Sequence, residues 1–129
     1  MKPLLLLLTM MCAINCLAQR DSEVTGEWEG ESLCTIKDSP CHDEHVVYHI
    51  KPDAQDPAKL EMSANKIVNG EELYMGSLRC RYSATSKELN CHYKKDDRWN
   101  FKVSGDEMTG TLIIPENKLY RKISVRRKR

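Results

Sequence analysis

Residues able to do chemistry are few in this chain, and they concentrate in one stretch: His42-Asp43-Glu44-His45, followed by His49. Imidazoles and carboxylates this close together can bind metal ions or act as general acid–base pairs. The spacing argues against both. It is not His-Glu-x-x-His, which places two imidazoles on one face of a helix, and the flanking residues alternate in the manner of a strand. On a strand His45 and His49 share a face but stand about 13 Å apart, too far for one ion unaided. No nucleophile in a convincing context accompanies Asp43 and Glu44. Structural or solvated roles are therefore expected for this cluster. No metal or cofactor is assigned, and the chain is read as a non-enzyme.

Cysteine is the other reactive type, with six residues in all. Two of them, Cys12 and Cys16, fall inside an export signal read over residues 1–18. Lys2 gives a positive start, residues 4–14 form an apolar run, and Cys16-Leu17-Ala18 places small residues at −3 and −1 of a cleavage site. The run is too short to span a bilayer, which takes about 20 residues. Acylation of Cys12 or Cys16 is the rival reading, but Met11 and Asn15 are poor small-residue spacers before a lipidated cysteine. Cleavage before Gln19 leaves about 110 residues, the size of one domain. Removing Lys2 leaves 19 basic residues, 20 less 1, against 19 acidic ones, so net charge points to no class of partner.

Four cysteines remain: Cys34, Cys41, Cys80 and Cys91. An even count in an exported chain reads as disulfides, with a four-thiolate zinc site as the alternative. Three pairings are possible. Local geometry favours Cys34–Cys41 and Cys80–Cys91, because each pair brackets a polar turn segment. Closing loops this short contributes about 2.5–3 kcal/mol each in the chain-entropy model.

The elements that must carry these residues are strands. Period-two alternation runs through residues 26–34, 45–50, 59–65, 73–82, 88–93, 99–104, 108–114 and 119–125. Turn signals separate them, among them Asn69-Gly70, a strong type I′ hairpin dipeptide. Eight short strands joined by short connections predict an all-β, eight-stranded antiparallel up-and-down barrel, since closure removes the exposed edges. Its span is residues 19–125, with residues 126–129 a solvated basic tail. Alternation assigns Tyr48, Leu60, Met62, Tyr74, Leu78, Tyr82, Tyr93, Trp99, Phe101 and Leu112 to the interior. A barrel of eight strands either fills with side chains or holds one small ligand. Tyr48, Met62, Tyr74, Leu78, Trp99, Phe101 and Leu112 are the candidate lining of an apolar pocket.

Thr25-Gly26-Glu27-Trp28-Glu29-Gly30 resembles the Gly-x-Trp segment on the first strand of lipocalin-like barrels, the superfamily that includes fatty-acid-binding proteins and avidins. Gly105-Asp106, Met108-Thr109-Gly110-Thr111-Leu112 and Leu119-Tyr120-Arg121 resemble the final hairpin of small exported bacterial domains of that type, and the segment from Ser39 to Glu44 is similar to one in uncharacterised exported bacterial proteins. The resemblance implies a tryptophan closing one end of the barrel under a basic residue of the last strand, here Trp28 and Arg121. It also implies a binding protein, periplasmic or secreted and monomeric, holding a small hydrophobic molecule. The alternative is a filled barrel that contacts an exported protein, such as a protease inhibitor whose residues 19–24 plug the target. Neither nucleic acid nor a membrane is an expected partner.

Overall fold

The computed structural model describes residues 23–129. The export signal expected over residues 1–18, with Cys12 and Cys16, and the mature start at Gln19 lie outside the described residues. Eight strands follow one another: β1 (Gly26–Cys34), β2 (Glu44–Pro52), β3 (Leu60–Val68), β4 (Glu71–Ser83), β5 (Glu88–His92), β6 (Arg98–Ser104), β7 (Glu107–Ile114) and β8 (Lys118–Arg127). Each pairs antiparallel with the next, and β8 returns to pair with β1, so the sheet closes into a barrel. No helix forms among the described residues.

Alternation decides which residues fill the barrel. Trp28, Met62, Leu89, Phe101 and Met108 are fully or almost fully buried, together with Val24, Val46, Tyr48, Ile50, Leu78, Val103, Ile123 and Val125. Full burial of each large apolar side chain contributes roughly 1.5–3 kcal/mol. Phe101 meets Tyr48 edge-on, with ring centroids 6.0 Å apart. Gly110 lies against Phe101: a β-carbon there would come within 2.4 Å of Phe101 Cδ1, so only glycine leaves room for that ring.

The turns use residues suited to them. Asn69 and Gly70 both have positive φ, as a type I′ turn requires. Cys34 is bonded to Cys41 and Cys80 to Cys91. The second bond links directly paired residues of β4 and β5, and both of its half-cystines are buried in the core. Such bonds form and persist in oxidising compartments, which fits an exported protein.

Two irregularities break the alternation. Between β3 and β4, Ala64 pairs with Gly76 but Asn65 pairs with Tyr74, leaving Met75 as an extra residue. A bulge of this kind exchanges the inward and outward sets of everything beyond it. Gly76 supplies the required backbone, at φ +149°. A second shift, between Leu112 and Ile113, leaves Tyr120 unpaired on β8. Leu119, expected on the face of Arg121, therefore lies past that shift.

Candidate functional site

One end of the barrel is shut. Val24 is fully buried, and its carbonyl accepts the indole N–H of Trp28 at 2.9 Å. Arg127 covers Trp28, its guanidinium carbon 4.4 Å from the ring centroid, and donates to the carbonyls of Thr25 and Glu23 at 2.6 and 2.5 Å. Tyr82 donates to Glu23 Oε2, and Lys87 reaches the same carboxylate at 3.0 Å.

The expected partner of Trp28 was Arg121, and the structure replaces it with Arg127. Antiparallel register is the reason: Trp28 pairs with Arg127, whereas Arg121 stands opposite Cys34. The two arginines share the inner face of β8 but are about 20 Å apart along the strand. Arg126 and Arg127 belong to β8, and Arg126 pairs with Glu107. Lys128 pairs with Glu27 and Arg129 with Asp106, so the expected solvated tail is tied to the barrel.

At the other end a cavity of about 230 Å³ opens between the strands. Its apolar wall includes Tyr48, Leu78, Trp99 and Leu112, four of the residues expected there, with Val46, Ala64 and Met75. Met62 and Phe101 lie deeper in the filled core and do not line it. Tyr74 is not interior at all. The bulge at Met75 turns it outward, where it is 67% exposed and hydrogen-bonds Ser77. Tyr93 falls just past the end of β5, and it stands on the rim, 56% exposed, against Gly76.

The polar side of the cavity comes from Ser32, Glu44 and Arg121. Arg121 Nη1 donates to the Ser32 carbonyl at 3.2 Å, to Ser32 Oγ at 3.3 Å and to the His42 carbonyl at 3.0 Å, and lies 3.7 Å from Glu44. It therefore ties β8 to β1 and to the loop before β2. Burial raises the Tyr48 hydroxyl well above the ordinary phenol range, with the Arg121 charge opposing and Glu44 adding to the shift. Tyr48 thus stays a neutral phenol at physiological pH. The mouth combines aromatic and aliphatic walls with a few fixed polar groups on one side, the usual make-up of a small-molecule site.

The residues from His42 to His49 separate into distinct roles. Asp43 accepts from the Cys34 amide at 2.8 Å and Glu44 pairs with Lys66. His45 sits on the outer wall between Glu31 and Glu29, at 2.8 and 3.0 Å, and these carboxylates raise its pKa, Glu31 first. His49 contacts Glu72 and lies 3.9 Å from Glu27. Sequence reading missed Glu72, because strict alternation from Gly76 puts it inside; the glycine within a strand was the one local sign of a bulge.

These features define an eight-stranded antiparallel barrel closed at one end and open at the other, an architecture consistent with a lipocalin-like fold. No protein-family model and no curated protein matches the chain.

Proposed function

We propose that this chain is an exported, monomeric binding protein of lipocalin-like type, rather than an enzyme, and that it holds a small, mainly apolar molecule at the open end of its barrel. The observation that carries the reading is the cavity bounded by Tyr48, Leu78, Trp99 and Leu112, with Arg121, Glu44 and Ser32 on one side. Its volume of about 230 Å³ lies below the 300–1,000 Å³ of drug-sized sites, so the cargo is small. The core beneath is packed with buried side chains, Met62 and Phe101 among them, which argues against a long acyl chain. The two disulfides support secretion or a periplasmic location. Native mass spectrometry after gentle purification is the test: a small adduct that leaves on mild activation is expected. A bare chain that also fails to take up a small fluorescent aromatic would overturn the reading.

A second reading, a protein-contacting barrel such as an inhibitor of an exported protease, is favoured by the β3–β4 hairpin, which exposes Val68, Leu73, Tyr74 and Met75. The plug expected over residues 19–24 is less suited to that task, since Val24 is buried in the barrel; residues 19–22 lie outside the described residues. Inhibition of one member of a panel of exported proteases, lost on Tyr74→Ser, would favour this reading over the first.

A further inference from the structure

We propose that Glu27, His49 and Glu72 form a three-ligand site for a divalent transition-metal ion, zinc above all, on the outer wall of the barrel. The residues come from β1, β2 and β4, and one donor atom of each lies within 4.8 Å of the other two. A tetrahedral zinc ion with ligands near 2.1 Å holds its donors about 3.4 Å apart, so the most distant pair needs to close by up to about 1.4 Å while His49 and Glu72, already in contact, move apart. Their side chains are 34% (Glu27), 41% (His49) and 34% (Glu72) exposed, which leaves room for that adjustment.

Several details hold the donors close together. His49 presents Nε2 to Glu72, while Glu27 Oε2 stands 3.9 Å from Nδ1, so Glu27 must swing toward Nε2 for all three to share one ion. Zinc would take the place of the proton that joins His49 Nε2 to Glu72, releasing it to solvent. Asn65, buried beneath, donates to the same Glu72 oxygen and fixes its orientation, as a supporting residue does for a metal-bound carboxylate. Lys128 holds the other oxygen of Glu27, Oε1, at 3.1 Å and leaves Oε2 facing the imidazole. Val47, between His45 and His49 on this outward face, is 0% exposed. One imidazole with two carboxylates suits zinc, nickel or copper, whereas magnesium and calcium prefer all-oxygen sets.

His45 shows the contrast. It also lies between two glutamates, Nδ1 to Glu31 and Nε2 to Glu29, but the donors of that trio do not come together within 4.8 Å as those of Glu27, His49 and Glu72 do.

The test is isothermal titration of tag-free, chelator-treated protein with zinc chloride, with magnesium and calcium chloride as comparators. One zinc per chain is expected, with magnesium and calcium at least about a hundredfold weaker. His49→Gln and Glu72→Gln should each weaken zinc by about tenfold or more, and His45→Gln by less than about threefold. Glu72→Gln keeps an oxygen for Asn65, so it should retain the fold; an unchanged thermal transition in the absence of metal verifies this. Absence of zinc binding at millimolar concentration, zinc affinity unchanged in both His49→Gln and Glu72→Gln, or equal loss in His45→Gln would overturn the site. None of these outcomes bears on the cavity at the open end, which shares no residue with it.

Discussion

Arg127 sits over Trp28 with its guanidinium carbon 4.4 Å from the indole centroid, and it clamps the carbonyls of Thr25 and Glu23 from the same position. One side chain thus stacks on the core tryptophan, satisfies two backbone acceptors and pins Val24 into the barrel end. Cation–π stacking at a desolvated ring contributes about 2 kcal/mol, and the two abandoned carbonyls add to the loss. Arg127→Ala should lower the unfolding free energy by about 2–3 kcal/mol in urea titrations. Arg121→Ala should cost less, because its ring contact is the longer one, 5.7 Å to the half-buried Tyr120, and no core ring lies under it; equal losses would contradict this division of roles.

Gly110 and Gly76 answer to different physics. At Gly110 an added methyl meets Phe101 Cδ1 at 2.4 Å and the Asn100 carbonyl at 2.7 Å, so Gly110→Ala should destabilise by about 1–3 kcal/mol through overpacking. At Gly76 there is room, the nearest atom being Tyr93 Cε2 at 3.5 Å, but φ is +149°. Gly76→Ala should cost about 1–3 kcal/mol in backbone strain alone. Enlarging Gly110 should also disturb the Phe101 ring signals in NMR, whereas Gly76→Ala should leave them in place.

The disulfides should differ in lability. Cys34 and Cys41 are half-buried beside a loop, whereas Cys80 and Cys91 are sealed in the core. Mild reductant should open Cys34–Cys41 first, with Cys80–Cys91 resisting until the barrel unfolds. Replacing Cys80 and Cys91 by serine should exceed the roughly 3 kcal/mol expected from loop entropy, because two polar groups then enter the core. Mass spectrometry of alkylated thiols along a reduction course gives the order; simultaneous labelling of all four cysteines would contradict it.

Stability should depend on pH through His45. Glu31 and Glu29 from β1 raise its folded pKa above the unfolded value of 6.5, against a smaller opposing effect of burial; Lys128 lies 3.9 Å from Glu29. A raised pKa means that the folded state holds the proton more tightly. The resulting stabilisation is complete below pH 6.5 and is lost as pH rises through the folded value. Asp53 acts in the opposite direction: the amides of Gln55 and Asp56 lower its pKa, so its contribution is present above 3.8 and is lost in acid. Urea midpoints of the parent chain should therefore fall above pH 6.5, by a small amount since His45 is exposed, and His45→Gln should flatten that limb.

Much of this molecule was legible in its residues. Strict alternation located eight strands and the inward set of Trp28, Tyr48, Met62, Leu78 and Phe101, and turn-bracketing cysteines identified both bonded pairs. The failures trace to register and to bulges, which alternation does not encode. Ending the last strand at Val125 removed Arg127 from consideration and left Arg121 as the partner of Trp28, although pairing between β1 and β8 sets Arg121 opposite Cys34. The extra residue at Met75 sent Tyr74 outward, brought Met75 into the pocket and placed Glu72 beside His49. Depth was equally hidden: Met62 and Leu78 are paired neighbours, yet only Leu78 reaches the cavity.

The central claim is that the cavity at the open end admits a small apolar molecule. Fluorescence titration of the chain with 1-anilinonaphthalene-8-sulfonate, beside an Ala64→Phe variant, tests it most directly, because Ala64 lines the cavity and a phenyl ring there would fill much of it. Saturable one-to-one enhancement in the parent chain, weakened by about tenfold or more in a folded Ala64→Phe variant, is the predicted result. No enhancement in the parent, or equal binding in both proteins, would contradict the account.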